Sequence, residues 1–242
     1  MSEALQISNL HKRFGGLIAV RDVSFSLAPG EVVGLLGPNG SGKTTVMNMI
    51  SGALPCDGGT IRLGQTDITK MKPHRVAKQG VARTFQLVRP LPTLTVGENV
   101  LLSLAFGHRR HWGREARELV EEKLAFVGLA GRGDEQVSNL TYIDQKRMEM
   151  ARALASEPEL LLLDEWLAGL NPSELKIGID LVQHLQGQGM TVLLVEHIME
   201  AVRALCSRCI VMSAGEVIAE GPSAEVLAQP AVIKAYLGDD HA

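Results

Sequence analysis

Residues Gly37-Pro38-Asn39-Gly40-Ser41-Gly42-Lys43-Thr44 fit the pattern G-x-x-x-x-G-K-S/T. An apolar run, Glu31–Leu36, precedes them, and a helix over Thr44–Ser51 is predicted to follow. A strand that passes through a glycine-rich loop into a helix is the context this motif requires, and the alternation of short apolar runs with helical patterns along the chain argues for an α/β fold around it. The glycines let the loop turn sharply and bring backbone N–H groups inward. The helix start adds donors without intrahelical partners and the positive end of its dipole. Such a loop cradles phosphate oxygens. Lys43 supplies a point charge for them, and the Thr44 hydroxyl is placed for Mg²⁺.

Other apolar runs repeat the strand pattern. Strands are predicted at Leu5–Ser8, Val23–Leu27, Val32–Leu36, Thr60–Leu63, Leu160–Leu163, Thr191–Val195, Arg208–Met212 and Val217–Glu220. Glu31–Leu36, Leu160–Asp164 and Thr191–Val195 are nearly all apolar, which suits central strands covered on both faces. Ala28-Pro29-Gly30 and Ser213-Ala214-Gly215 read as turns between adjacent strands of an antiparallel portion. From about Leu87 to Pro158 helices dominate, at Val96–Ala105, Arg114–Val127 and Tyr142–Ser156, with Pro90, Pro92 and Pro158 at the edges. The expectation is one domain, with residues 1–86 and 158–242 as an α/β core and residues 87–157 as an inserted helical subdomain.

Three further features place polar groups at strand ends or at the edge of the core. Ligands of open α/β sheets bind at such ends. Leu160–Leu163 ends in Asp164-Glu165. Asp164 can hold Mg²⁺ through water, and Glu165 can orient or deprotonate an attacking water. An acidic strand-to-loop junction is common by itself; the phosphate loop gives this pair its meaning. Thr191–Val195 ends in Glu196-His197, from which His197 could donate to a γ-phosphate. A surface histidine is the bland alternative. Gln86, in Arg83-Thr84-Phe85-Gln86, stands where the core gives way to the helices and could touch Mg²⁺ or the water.

A formal net charge of −3 lacks the basic footprint of a nucleic-acid binder. Cys56, Cys206 and Cys209 are too few for a disulfide framework. Cys206 and Cys209 form one C-x-x-C without the second pair that a four-ligand zinc site needs, and are expected to be buried as small apolar residues. The start MSEALQISNL lacks the pattern of a signal peptide. No run reaches the roughly 18–20 apolar residues of a membrane span. A soluble, cytoplasmic chain that meets a membrane only through partners is expected. Gly107-His108-Arg109-Arg110-His111-Trp112-Gly113-Arg114 is basic with one aromatic, and reads as a solvated loop or as a contact with lipid headgroups or a membrane subunit.

Taken in order, Gly37–Thr44, Gln86, a signature-like Leu140–Gln145, Asp164-Glu165 and His197 resemble the ABC ATPase superfamily along essentially the whole chain. Arg13-Phe14-Gly15-Gly16, Arg83-Thr84-Phe85-Gln86, Ala168-Gly169-Leu170-Asn171-Pro172 and the ending Val232-Ile233-Lys234-Ala235-Tyr236-Leu237-Gly238 look like the ATP-binding subunits of branched-chain amino-acid importers. Members of that group also serve urea, amides and other small organic solutes. The resemblance implies a P-loop NTPase core with an antiparallel β subdomain and an inserted helical subdomain. It implies ATP and Mg²⁺ as cofactors, and hydrolysis coupled to import. Phe14 would stack on adenine, and Thr45 would join Gly37–Thr44 around the phosphates. Lys43, Gln86, Glu165 and His197 would be catalytic, and Thr44, Gln86 and Asp164 would hold the metal. Asn171 lies at the D-loop position, and Asn171-Pro172-Ser173-Glu174 also reads as a helix start.

In that family two ATPase subunits close head to tail, so Thr141, Tyr142 and Ile143 would meet the ATP of a second ATPase subunit. Two transmembrane permease subunits, and indirectly a solute-binding protein, would hold the chain at the cytoplasmic face of the inner membrane. The alternatives are a soluble ABC ATPase driving assembly, and a nucleotide-dependent interaction module with weak hydrolysis.

Two stretches depart from the family. Its usual signature is Leu-Ser-Gly-Gly-Gln, and close relatives show Leu-Ser-Tyr-Gly-Gln or Leu-Ala-Tyr-Gly-Gln. Here Leu140-Thr141-Tyr142-Ile143-Asp144 is followed by Gln145. Ile143 replaces a glycine whose backbone approaches the γ-phosphate, and a β-branched side chain would block that approach. Asp144 would repel phosphate if it faced it. The expected consequence is a heterodimer with two unequal sites, with a homodimer as the alternative. Trp166 stands where the family has proline after Glu165, and is expected to pack or to contact the dimer seam.

Overall fold

The computed structural model describes residues 3–107 and 109–237. His108 of the basic stretch and Gly238 of the C-terminal motif lie outside the described residues. A long hairpin, β1 (Leu5–Phe14) and β2 (Leu17–Leu27), leads into β3 (Val32–Leu36), α1 (Lys43–Ile50), β4 (Gly58–Leu63), β5 (Thr66–Asp67), α2 (Pro73–Lys78) and β6 (Val81–Arg83). Helices α3 (Val96–Phe106), α4 (Gly113–Phe126) and α5 (Tyr142–Ala155) come next. Then follow β7 (Leu160–Asp164), α6 (Pro172–Gly187), β8 (Thr191–Val195), α7 (Met199–Leu205), β9 (Arg208–Ser213), β10 (Glu216–Pro222), α8 (Ser223–Val226) and α9 (Pro230–Leu237).

The strands form two sheets, in the orders β2-β1-β4-β5 and β10-β9-β3-β8-β7-β6. The first is antiparallel. In the second, β6, β7, β8, β3 and β9 run parallel, and β10 returns antiparallel against β9. Leu160 pairs with Thr191, and Val33 with Leu193, so the carboxyl ends of β3, β7 and β8 emerge on one side.

The central strands are apolar throughout because both of their faces are buried. Along β3, Val32 and Leu36 join one core while Val33 and Leu35 join the other. Leu161 and Leu163 oppose Leu160 and Leu162 in β7 in the same way, and Val192 and Leu194 oppose Leu193 and Val195 in β8. One core is filled by α3 to α7, the other by α1 and the antiparallel sheet. Each such side chain contributes roughly 1.5–3 kcal/mol by leaving water. Val96, Val100 and Leu104 of α3 and Leu124 of α4 belong to the same core as β7, so the helical region packs on the sheet.

Ser213-Ala214-Gly215 does join two antiparallel neighbours, β9 and β10. Ala214 and Gly215 both have positive φ, 47° and 85°, which matches the right-handed twist of a tight hairpin. Ala28-Pro29-Gly30 does not join neighbours: it carries the chain from β2 in one sheet to β3 in the other. A turn signal reports a change of direction, and which sheet the next strand enters is decided by packing. Strand β6 has three residues and is legible only through its pairing with β7.

Candidate nucleotide site

The loop after β3 is held open by glycines. Gly37 has φ +141°, and a Cβ there would sit 2.1 Å from the Met212 carbonyl oxygen. Gly42 has φ +104°, and its Cβ would sit 2.5 Å from Ala19 O. Gly42 is also the N-cap of α1 and brings no side chain to cap it, so the first-turn amides of α1 lack a side-chain acceptor. Lys43 Nζ donates to the carbonyls of Gly37 at 2.7 Å and Pro38 at 2.9 Å, and approaches Ser41 Oγ at 3.5 Å. Burial lowers the Lys43 pKa, while Glu165 and Asp164 act the other way. The two carboxylates thus lie within electrostatic reach of the loop's lysine.

A cleft of about 410 Å³ opens over this loop. Asn39, Gly40, Ser41, Gly42, Lys43, Thr44 and Thr45 form its floor, Phe14, Leu17, Ile18 and Ala19 line it from the β1–β2 hairpin, and Glu165 and Ala214 also border it. Phe14 is 46% exposed, with the Lys12 ammonium 5.6 Å from its ring centre.

Glu165 follows β7 in the left-handed region, φ 49°, with its N–H donating to Val195 O at 2.8 Å. That turn aims its carboxylate away from the strand. Gln86 Nε2 donates to Glu165 Oε2 at 2.6 Å, and His197 Nε2 lies 3.0 Å from Oε1. A carboxylate accepts, so this contact places a proton on His197 Nε2. Three predicted residues from three segments therefore meet at one carboxylate. Beside His197, Glu196 is buried, accepts from Leu167 N at 2.7 Å, and is pushed up to about 7 by burial.

Asp164 is buried, and Arg83 donates to its Oδ2 at 2.7 Å. Arg83 also reaches Asn48 Oδ1 on α1 at 2.8 Å and Ser51 Oγ, at the C-cap of that helix, at 3.1 Å. Asp164 Oδ1 is not engaged by this pair. Among the described residues no three His, Cys, Asp or Glu side chains converge as a metal cage. The set of Thr44, Asp164 and Gln86 is sparse, which fits Mg²⁺: that ion keeps several waters and takes further oxygens from a bound phosphate.

Thr141, Tyr142 and Ile143 do not line the cleft. They form the N-terminus of α5, where Thr141 Oγ1 accepts from Asp144 N at 3.3 Å. The structure corrects the expectation for Asp144. Its carboxylate is turned inward and neutralised by Arg132 at 2.8 Å and Arg147 at 3.1 Å, and both partners help to hold its pKa below the usual range against burial. Ile143 is likewise buried, 8% exposed. Trp166 packs rather than facing a seam: it is fully buried. Cys206 and Cys209 are buried free thiols.

Sequence reasoning left out Arg83 as a partner of Asp164, Lys146 as a partner of Trp166, and Tyr236 as a partner of Gly37. Arg83 and Tyr236 stood inside quoted motifs, but no local pattern says which distant group each would meet.

The parallel sheet, the antiparallel sheet against it, the helical region and the glycine loop below an acidic strand end together define an ATP-binding cassette ATPase. The family model described as ABC transporter matches residues 20–168, and the one described as branched-chain amino acid ATP-binding cassette transporter matches residues 216–242. The chain belongs to the ABC transporter family, as an ATPase subunit. It is 39% identical to the high-affinity branched-chain amino acid transport ATP-binding protein LivG of Escherichia coli K12, over 97% of this chain and 98% of that one. It is 37% identical to BraF of Pseudomonas aeruginosa, with the same function in its name, over 97% and 98%. Among solved structures, the ADP conformation of the cassette MJ1267 superposes with a TM-score of 0.89 at 32% identity, covering 99% of this chain and 100% of that one. The dimeric cassette MJ0796 bound to ADP and Pi superposes with a TM-score of 0.80 at 26% identity, covering 90% and 98%. Among the described residues no helix is long and apolar enough to cross a membrane.

Proposed function

We propose that this chain hydrolyses ATP to drive an importer for branched-chain amino acids or a related small organic solute. The observation that carries the reading is the Glu165 carboxylate, which borders the loop's cleft while Gln86 and His197 grip its two oxygens. The names of LivG and BraF, and the C-terminal match, support the amino-acid class of solute.

In this reading Phe14 stacks on the adenine, and the amides from Asn39 to Thr45 surround the phosphates. Lys43 exchanges the carbonyls of Gly37 and Pro38 for phosphate oxygens. Gln86 and His197 keep Glu165 in one rotamer, so that it accepts a proton from the water that attacks the γ-phosphorus, while the bond from that phosphorus to the β–γ bridging oxygen breaks and ADP leaves with its electron pair. His197 then lies beside the phosphoryl oxygens as a donor. Thr44, Asp164 and Gln86 would hold Mg²⁺, which would supply charge neutralisation for the transferring phosphoryl group.

Partners follow from the same reading. Two permease subunits hold the chain at the cytoplasmic face of the membrane, with a solute-binding protein beyond them. A second ATPase subunit brings its own signature to this chain's loop. A heterodimer is favoured by Ile143, whose Cβ stands where the family's glycine has none; Asp144, neutralised by two arginines, adds nothing to that argument.

The test is phosphate release and leucine uptake by the reconstituted complex of permeases, this chain and its cognate second ATPase. Both are expected, and both should stop with Glu165→Gln. An assembled complex that neither hydrolyses ATP nor takes up leucine would refute the proposal. Robust turnover by this chain alone would refute the heterodimer.

A further inference from the structure

The first residue of the phosphate loop is gripped from both sides. Lys43 Nζ donates to the Gly37 carbonyl at 2.7 Å, and the Gly37 N–H donates to the Tyr236 hydroxyl at 2.8 Å. Lys43 belongs to the loop itself. Tyr236 comes from α9, 199 residues further along the chain.

Gly37 is poorly able to move sideways. Its φ of +141° is open to glycine, and the place a Cβ would take is filled by Met212 O of β9. What remains is rotation of the peptide that joins β3 to the loop. That peptide's N–H is the group Tyr236 accepts. A buried amide without an acceptor is unfavourable, so the phenol selects the one orientation in which the loop leaves the sheet as described. Every later amide of the loop inherits its direction from that peptide.

Tyr236 is itself fixed. Its ring packs against the larger core, and Val232, one turn earlier in α9, is 2% exposed. Burial raises the phenol's pKa, so it stays neutral. The segment that carries it lies within residues 216–242, outside the 20–168 stretch matched by the general cassette model.

We infer that Tyr236 is a positioning residue for nucleotide binding: the C-terminal helix latches the phosphate loop through the Gly37 amide. The inference rests on the proposed nucleotide site. Loss of the hydroxyl would let the loop sample other orientations, and the apparent affinity falls with the fraction that remains competent.

Titration with fluorescent N-methylanthraniloyl-ADP and Mg²⁺ tests this on the full chain. Tyr236→Phe keeps the ring and removes only the hydroxyl, the acceptor of the Gly37 N–H. Its Kd is expected to rise roughly threefold to tenfold, the size of one hydrogen bond. In the reconstituted complex KM for ATP should rise by a similar factor with kcat within about twofold, and exchange of the Gly37 amide should speed up. Tyr236→Leu should show the same rise in Kd if the hydroxyl is responsible. A Kd unchanged in Tyr236→Phe, or one that moves only in Tyr236→Leu, overturns the latch. Wild-type protein that binds no nucleotide overturns the site itself, a separate result.

Discussion

Lys146 and Trp166 donate to each other's backbone. Lys146 Nζ reaches Trp166 O at 2.7 Å, and Trp166 Nε1 reaches Lys146 O at 3.3 Å. Both side chains are fully buried. Lys146 sits in the first half of α5, and Trp166 follows Glu165, so the pair ties the helix behind Thr141–Ile143 to the turn that aims the Glu165 carboxylate. The Lys146 ammonium also lies 5.1 Å from the centre of the Tyr142 ring, at the start of that helix.

Trp166→Phe keeps most of the packing but removes the donor to Lys146 O. A loss of about 1–2 kcal/mol is expected in urea unfolding. Trp166→Ala adds a cavity and should lose about 3–5 kcal/mol. Equal losses for the two would mean that the indole ring's volume contributes nothing beyond its N–H.

Glu165→Gln should still bind nucleotide but hydrolyse at least about a hundredfold more slowly, since an amide cannot take the water's proton. Gln86→Ala and His197→Ala each remove one of the two grips on the carboxylate, and smaller losses in kcat are expected. Phosphate release by the assembled complex measures all three. Wild-type rates in Glu165→Gln would reject its role as base.

Arg83 and Asp164 form a buried ion pair, with side chains 7% and 9% exposed. Removing one partner strands the other charge, so Arg83→Ala should destabilise the fold by about 3–5 kcal/mol. A double change, Arg83→Met with Asp164→Leu, should recover much of that stability in urea unfolding while abolishing hydrolysis. A double variant no more stable than Arg83→Ala would show that the pair is not the source of the loss.

Burial pushes Glu149, on α5, up to about 7; Arg152, and the amides of Phe85 and Arg89, offset this only in part. Arg152 approaches the carboxylate only to 3.6 Å. The folded chain thus holds this proton more tightly than the unfolded chain does. The stabilisation is fully present below the unfolded value of 4.5 and is lost as pH rises through about 7. Glu149→Gln cannot ionise, so its stability relative to wild type should grow across that window by up to a few kcal/mol and then level off. A difference that stays constant from about pH 5 to about pH 8 would show that Glu149 is not the titrating group.

The sequence alone determined the elements whose cause is local. The phosphate loop was legible because its backbone path needs glycine at set positions, and the central strands because burial on both faces leaves polar residues only at their ends, at Asp164 and Thr191. The helix at Pro172 was legible from Asn171, which caps Glu174 N at 3.0 Å, as that spacing requires. Tertiary structure decided what depends on contact between segments far apart in the chain. It paired Asp144 with Arg132, seated Trp166 on Lys146, and brought Tyr236 to Gly37. The same residues could have faced solvent with no change in local pattern. Distant pairing is selected by the packing of the whole core, and a side chain's direction is known only once its neighbours are in place.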